Sequence, residues 1–242
     1  MNIFSSLTGT LVNVATVLLG STLGLLLGRA LPERLGKALM TALGLCTVFI
    51  GISGSLSAKN TLVIILSLVI GTVIGELCDL DKWVNKLGTT IENKLGQSGK
   101  GTVAQGFVTA SLVFCVGAMT IVGSLNSGLT GDHTMLYTKS CLDLISSLVF
   151  ASTLGIGVLL SAGFVLVFQG GIALLAGVIA PFLSTAVVNE MTAVGSILII
   201  GLGLNLIGVT KLKMMNYVPA IFLPILLCPV YDWVASWVAH LL

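Results

Sequence analysis

Long apolar runs, interrupted by very few charges, constrain this chain more than any other feature of its sequence. Only 8% of its residues are charged, 56% are hydrophobic, and the mean hydropathy is +1.11. An average soluble domain has about 25% charged residues, and its surface needs more polar groups than this composition supplies. The composition therefore excludes a cytosolic enzyme, a nucleic-acid-binding protein and a disordered chain. It predicts an all-α polytopic membrane protein.

The apolar runs predict about eight transmembrane helices, because one crossing takes about 20 apolar residues. The runs are continuous rather than alternating, which argues against an outer-membrane β-barrel. Residues 141–183 are too long for one crossing, so we place a tight turn at 161–163. The eight predicted spans, numbered 1 to 8 in chain order, are 8–28, 39–56, 61–77, 103–125, 141–160, 163–183, 192–209 and 216–231.

Basic residues indicate the orientation of this layout. All but two of the 11 Lys and Arg residues fall on one side of the membrane, in the segments 29–38, 78–102 and 210–215. The exceptions are Lys59 and Lys139. Cytoplasmic loops carry an excess of Lys and Arg, so these segments are predicted to be cytoplasmic and both termini to lie outside the cytoplasm.

The segment 78–102 is the longest polar stretch, and we expect it to form an amphipathic helix at the cytoplasmic interface. Apolar residues recur there at helical spacing, and charged residues fill the opposite face. The apolar set is Trp83, Val84, Leu87, Ile91 and Leu95.

Two apolar segments share a motif, MTALG at 40–44 and MTAVG at 191–195. Spans 1 to 3 therefore resemble spans 6 to 8. The two units are offset by five crossings, an odd number, so they have opposite orientations in the membrane. Such an inverted repeat is typical of secondary transporters; chance similarity between apolar segments is the alternative. The predicted organisation is a single membrane domain, 1–242, with repeat units at 8–77 and 163–231, an amphipathic linker at 78–102 and a central helix pair at 103–160.

Polar side chains within apolar spans are the candidate pathway residues, because a charge at the bilayer centre costs about 2.5–3.5 kcal/mol. Lys139 and Asp143 are four residues apart, so on a helix they share a face and can pair; a structural ion pair at the outer interface is the alternative. Glu76 is at the end of span 3 and is predicted to be either a gate carboxylate of the pathway or a carboxylate at the membrane interface. Glu190 is expected in the loop before span 7. The remaining candidates are amides, for which helix packing is the alternative: Asn13, Asn126, Gln169 and Asn205.

Glycines recur every fourth residue in two spans and predict close helix contacts, either within the chain or at a homodimer interface. They are Gly20, Gly24 and Gly28 in span 1, and Gly71 and Gly75 in span 3. The stretch 117–132 is also rich in glycine and in Ser, Thr and Asn, which makes a continuous helix unfavourable. It is predicted either to break at depth and offer backbone groups to a solute, or to form an external loop.

Several of these pieces together resemble the YqgA/YdfK family of bacterial membrane proteins, catalogued as domain of unknown function 554. The resemblance covers essentially the whole chain and implies a multi-pass protein of the bacterial cytoplasmic (inner) membrane. It implies no particular substrate. The residues that carry it are Gly75-Glu76, SLNSGLTGD at 124–132, Lys139-Ser140 with Asp143, and STLGIG at 152–157.

We therefore expect a membrane transporter or channel for a small polar solute or ion, acting in the lipid bilayer as a dimer and binding no nucleic acid. Glu76 and Asp143 would be its charged pathway groups, and Asn126 and Asn205 its amide ligands. The alternative is a membrane scaffold or regulatory protein that docks a cytoplasmic partner or a lipid through 78–102. No enzyme activity, cofactor or metal site is expected, because the GxSG motif at 51–54 has no histidine within an apolar span to act as a base.

Overall fold

The computed structural model of the chain describes residues 3–28, 32–94 and 102–241. Within these ranges the chain is helical between short connections and contains no strand. The helices are α1 (Ile3–Gly28), α2 (Glu33–Ser55), α3 (Thr61–Cys78), α4 (Leu80–Lys94), α5 (Thr102–Cys115), α6 (Ala118–Leu129), α7 (Thr134–Leu154), α8 (Ile156–Leu174), α9 (Ala176–Ile179), α10 (Thr185–Ile207) and α11 (Pro224–Leu241). A short 3-10 turn, Ala180–Phe182, follows α9, and a longer one, Met214–Phe222, precedes α11 and is called the 3-10 segment below.

In the described part of the chain, five helices are long and apolar enough to cross a membrane: α1, α2, α3, α8 and α10. Two bent pairs, α5 with α6 and the 3-10 segment with α11, meet the same criterion together and raise the number to seven. The chain is therefore a multi-pass membrane protein. The remaining predicted span, 141–160, corresponds to α7, which is less apolar because its interior carries Lys139 and Asp143.

The boundary between α7 and α8 lies at Gly155, so the predicted turn at 161–163 is wrong. Gly155 has a φ of 75° and a ψ of −154°, a conformation that is accessible to glycine and costly for other residues. Ser161 lies inside α8, where its hydroxyl donates to the carbonyl of Val158 at 2.6 Å. Periodicity could not locate the turn, because several glycines occur in this stretch and each of them could have ended a helix.

The predicted span 103–125 is not one continuous helix. It breaks at Gly117, whose φ is 149°, and α5 and α6 meet there at an angle of 61°. Beyond the break the chain is helical to Leu129, so the expectation of an external loop over 117–132 is wrong for most of that stretch. Gly195 of α10 lies against Val116 and leaves room for the bend to pack into the bundle.

Helices α1 and α7 lie side by side and run in the same direction. Gly20 lies against the backbone of Leu144, and Gly28 at the end of α1 lies against Ser152 near the end of α7. A Cβ atom on Gly24 between them would come within 2.9 Å of Ala151. The glycine stripe of α1 is thus used for close packing within the chain.

Three other helix pairs are antiparallel. In α2 and α10, Gly44 lies against Gly203 while Gly51, further along α2, lies against the earlier residue Ile200. The same reversed order relates α3 to the 3-10 segment, where Gly71 and Gly75 lie against Ala220 and Asn216 respectively. The start of α1 contacts the end of α8 through Thr10 and Gly170.

Helix α4 lies at one end of the bundle, beside the start of α5. Gly88 allows this contact, because a Cβ atom there would meet the Cβ atom of Ala104 at 2.8 Å. Of the predicted amphipathic segment, residues 95–101 and the side chains of Leu87 and Ile91 lie outside the described part of the chain. This end also holds the loop between α10 and the 3-10 segment, and it is called the basic end because its exposed lysines include Lys82, Lys86, Lys211 and Lys213.

Candidate functional site

A buried ion pair lies between α1 and α7. Lys139 and Asp143, one turn apart on α7, form a salt bridge, and each side chain is only 8% exposed. Asn13 of α1 is completely buried and donates its Nδ2 to Oδ2 of Asp143 at 3.0 Å. The predicted pairing is thus present, and α1 adds a third polar group to it.

The break between α5 and α6 lies next to this ion pair. The Lys139 Nζ atom is 5.8 Å from the ring centroid of Phe114, within the range of a cation–π interaction. Phe114 is fully buried in the last turn of α5, and its carbonyl accepts a hydrogen bond of 2.9 Å from the Thr120 hydroxyl in the first turn of α6. Broken helices of this kind form the substrate and ion sites of many transporters, because helix ends carry unpaired backbone groups.

Buried polar atoms on α1, α6 and α8 lack hydrogen-bond partners within the described ranges. Gln169 of α8 is fully buried, and neither its Oε1 nor its Nε2 has a partner in the described ranges. The same holds for the hydroxyls of Thr10 on α1, one turn before Asn13, and of Ser124 on α6. Most buried polar groups in proteins are hydrogen-bonded, so these helices hold unused hydrogen-bonding capacity in their contact faces.

Comparison with known proteins agrees with this architecture. The family described as "Protein of unknown function (DUF554)" matches residues 8–229, which include every residue of the buried site. The chain belongs to the DUF554 family.

Two relatives in this family match along almost their whole length. One is the "Uncharacterized membrane protein YdfK" of Bacillus subtilis (strain 168), 34% identical over 220 residues that cover 89% of this chain and 93% of the relative. The other is the "Uncharacterized protein YqgA" of Escherichia coli (strain K12), 32% identical over 219 residues with the same coverage, 89% and 93%. No solved structure matches the chain. The family resemblance predicted from the sequence motifs is therefore confirmed.

The structure of this DUF554 protein does not bring every predicted residue to the buried site. Glu76 is about half exposed at the basic end, and its Oε2 is 3.9 Å from Nζ of Lys213. The carboxylate of Glu76 thus contacts Lys213 instead of the buried ion pair. Asn126 is half-buried near the end of α6, where its backbone carbonyl accepts the Thr130 hydroxyl at 2.8 Å.

Asn205, which was predicted to be an amide ligand near a broken helix end, lies in the last turn of α10. Its Oδ1 accepts the hydroxyl of Thr210 at 2.7 Å and the N–H of Leu212 at 2.9 Å. Its Nδ2 donates to the carbonyl of Leu212 at 2.8 Å. The amide therefore holds the loop after α10 in place.

Glu190 is a buried carboxylate that the sequence placed in a loop. It lies inside α10, is 2% exposed, and its Oε1 accepts the N–H groups of Lys59 and Asn60 at 2.7 and 2.8 Å. The helix begins earlier than predicted because Ser184 acts as its N-cap and accepts the Val187 N–H. A serine at this position is a typical N-cap residue, and this signal could have located the start of α10.

Proposed function

We propose that this protein is a transporter or channel for a small polar solute or ion, with Lys139, Asp143 and Asn13 on its pathway. The observation that carries this proposal is the burial of the ion pair beside the α5–α6 break. A neutral apolar pair of similar volume often packs as well as a buried salt bridge or better. Ionisable groups inside membrane helices mark solute pathways, ion sites and proton relays, and such a role accounts for charges at this position.

The proposed topology has eight crossings. Helix α7 runs parallel to α1 over nearly its full length, so it crosses the same layer even though its sequence is less apolar. With each bent pair taken as one crossing, the chain crosses eight times and both termini are on the side opposite to the basic end. The positive-inside rule assigns the basic end to the cytoplasm, and the termini then lie outside it, in a bacterial inner membrane.

The helix pairing supports an inverted repeat within this topology. Each helix of the unit 8–77 packs antiparallel on its counterpart in the unit 163–231: α1 on α8, α2 on α10, and α3 on the 3-10 segment. A two-fold axis in the membrane plane relates inverted repeats. A helix that lies next to this axis packs on its own counterpart from the other repeat, and the two helices run antiparallel. Matching contacts between small residues occur in these pairs, as in Gly44 with Gly203 and Gly71 with Ala220.

Solute-induced currents test the proposal. Proteoliposomes on a solid-supported membrane are exposed in turn to K⁺, Na⁺, acetate, glycine and glutamate, with protein-free liposomes as the background. We expect a current with at least one probe, reduced at least tenfold in Asp143→Asn. Ser140→Ala is the matched control. Within the ranges that the structure describes, this buried hydroxyl on the same helix bonds only to the carbonyl of Leu136, at 2.8 Å. Background currents with all five probes, or equal currents in Asp143→Asn and wild type, would overturn the proposal.

A scaffold function is the second candidate, and the surface of α4 favours it. Trp83 is 67% exposed, and Lys82 and Lys86 beside it are exposed as well. Tryptophan and lysine are suited to the interface of a membrane with anionic lipids. A photoreactive group at position 83 distinguishes the two functions: cross-linking to one cytoplasmic protein, in a chain that gives no solute current, would favour the scaffold.

A further inference from the structure

A cavity of about 250 Å³ opens at the basic end, between α4, α5, α10 and the loop that follows α10. Its polar lining comes from three separate parts of the chain: Asp81 and Asn85 of α4, Gln105 and Thr109 of α5, and Asn205, Thr210 and Lys211 around the loop. Pockets for drug-sized ligands measure about 300–1,000 Å³. This cavity is therefore suited to a smaller solute.

The wall of the cavity is held by hydrogen bonds between distant segments. Oδ1 of Asn216, in the 3-10 segment, accepts the backbone N–H of Asp81 at 2.7 Å and positions the first turn of α4. On the opposite side, the three hydrogen bonds of Asn205 hold the loop residues Thr210 and Leu212. Binding sites need this kind of support, because groups that are already in place lose little freedom when a ligand binds.

Three groups in the lining are available to a ligand. Thr109 is fully buried, and its hydroxyl has no hydrogen-bond partner in the described part of the chain. Asp81 and Lys211 add one negative and one positive charge, and within the described ranges neither forms a salt bridge. The Asp81 Oδ2 atom accepts a hydrogen bond of 2.7 Å from Nδ2 of Asn85, which orients the carboxylate and leaves it further lone pairs for a ligand. A buried hydroxyl without a partner together with two separate opposite charges matches a solute that carries both an ammonium and a carboxylate.

We propose that this cavity binds a small zwitterionic solute of the amino-acid class, with its ammonium group at Asp81 and its carboxylate at Lys211. Its place on a transport pathway rests on the proposed function, whereas binding itself does not. Thr109 and Phe114 are five residues apart on α5, which is about 7.5 Å along the helix axis. The Phe114 ring lies beside Lys139, so α5 connects the cavity to the ion pair, and the cavity forms the basic-end entrance of the proposed pathway.

Isothermal titration of the purified protein in detergent tests the binding site. The probes are glycine, L-serine and L-glutamate, with acetate and methylammonium as single-charge controls. We expect at least one zwitterion to bind and both single-charge controls to bind at least tenfold more weakly. Lys211→Gln and Thr109→Val should each raise the Kd at least tenfold. Lys213→Gln, which changes a neighbouring lysine that faces Glu76 instead of the cavity, should leave the Kd within twofold.

Lys211→Gln and Thr109→Val are informative because the first is on an exposed loop and the second is nearly isosteric, so both variants should fold. The proposal is overturned if no zwitterion binds, if acetate binds as tightly as glycine, or if neither variant weakens binding. Binding that follows these variants without any solute current would contradict the proposed function and leave the cavity site in place. A current that is lost in Asp143→Asn but unaffected by Lys211→Gln and Thr109→Val would contradict the cavity site and leave the proposed function in place.

Discussion

Replacing one member of the buried ion pair by a neutral side chain should destabilise the protein far more than replacing both members. In Lys139→Gln the Asp143 carboxylate stays buried, 6% exposed, with the Asn13 amide as its remaining polar contact from a neighbouring helix. Removing one partner of a buried salt bridge costs about 3–5 kcal/mol, because an uncompensated charge is left behind. Replacing both partners by apolar groups of similar volume is often close to neutral, and uncharged amides of similar size likewise leave no uncompensated charge behind. The double variant Lys139→Gln/Asp143→Asn should therefore recover most of the lost stability.

Thermal unfolding followed by far-ultraviolet circular dichroism in detergent measures this difference. A change of 1 kcal/mol shifts the Tm of a 150–250-residue domain by about 2–4 °C, so the single variant should melt about 6–20 °C below wild type. The double variant should melt within about 5 °C of wild type, and Ser140→Ala within about 2 °C. A Lys139→Gln protein that melts at the wild-type temperature would refute the reasoning, since it would mean that the pair is not buried in the folded protein. A double variant less stable than either single one would refute the pairing.

Three further predictions concern packing and the loops. Gly71→Ala should cost about 1–3 kcal/mol by overpacking, since its Cβ atom would lie 2.5 Å from that of Ala220. Gly36→Ala should instead gain up to about 1 kcal/mol of helix propensity, because none of the residues that the structure describes has an atom within 4 Å of the added Cβ atom. Thermal unfolding of the two variants compares these effects. Asn205→Ala should cost about 1–3 kcal/mol and speed hydrogen exchange in the loop that follows α10. The Thr134 N–H donates to Asp132 and holds the pKa of this exposed carboxyl below its usual value of 3.8. The ionised Asp132 carboxylate therefore stabilises the fold at pH values above 3.8, and this stabilisation is lost as the pH falls through the lowered pKa. The Tm difference between wild type and Asp132→Ala should shrink on acidification.

Each of these has an outcome that would contradict it. Equal melting temperatures for the two glycine variants would rule out the close contact between α3 and the 3-10 segment. Unchanged exchange in the loop after α10 would show that Asn205 does not anchor it. A Tm difference at Asp132 that does not vary with pH would exclude the charged form of the carboxylate as its source.

The parts of the site that were predictable are those set by local spacing. Lys139 and Asp143 are four residues apart, and any helix brings such residues together, so their pairing followed from the sequence. The contact with Asn13 did not, because it depends on how α1 and α7 pack and the two helices are far apart in the chain. Asn205 looked like a candidate ligand as an amide near an apolar span. Only its contacts showed that both amide atoms are engaged by the loop after α10.

By itself, the sequence determined that this chain is a multi-pass helical membrane protein of the DUF554 family. Membrane insertion depends on local composition, and local composition can be read from consecutive residues. The tertiary structure decided where apolar helices end and which polar groups meet. Gly155 and Gly117 adopt backbone conformations that end helices, whereas Gly20 and Gly24 stay within one and pack on a neighbour. Glycine permits all of these conformations at similar cost, so the choice among them depends on contacts between helices distant in the sequence.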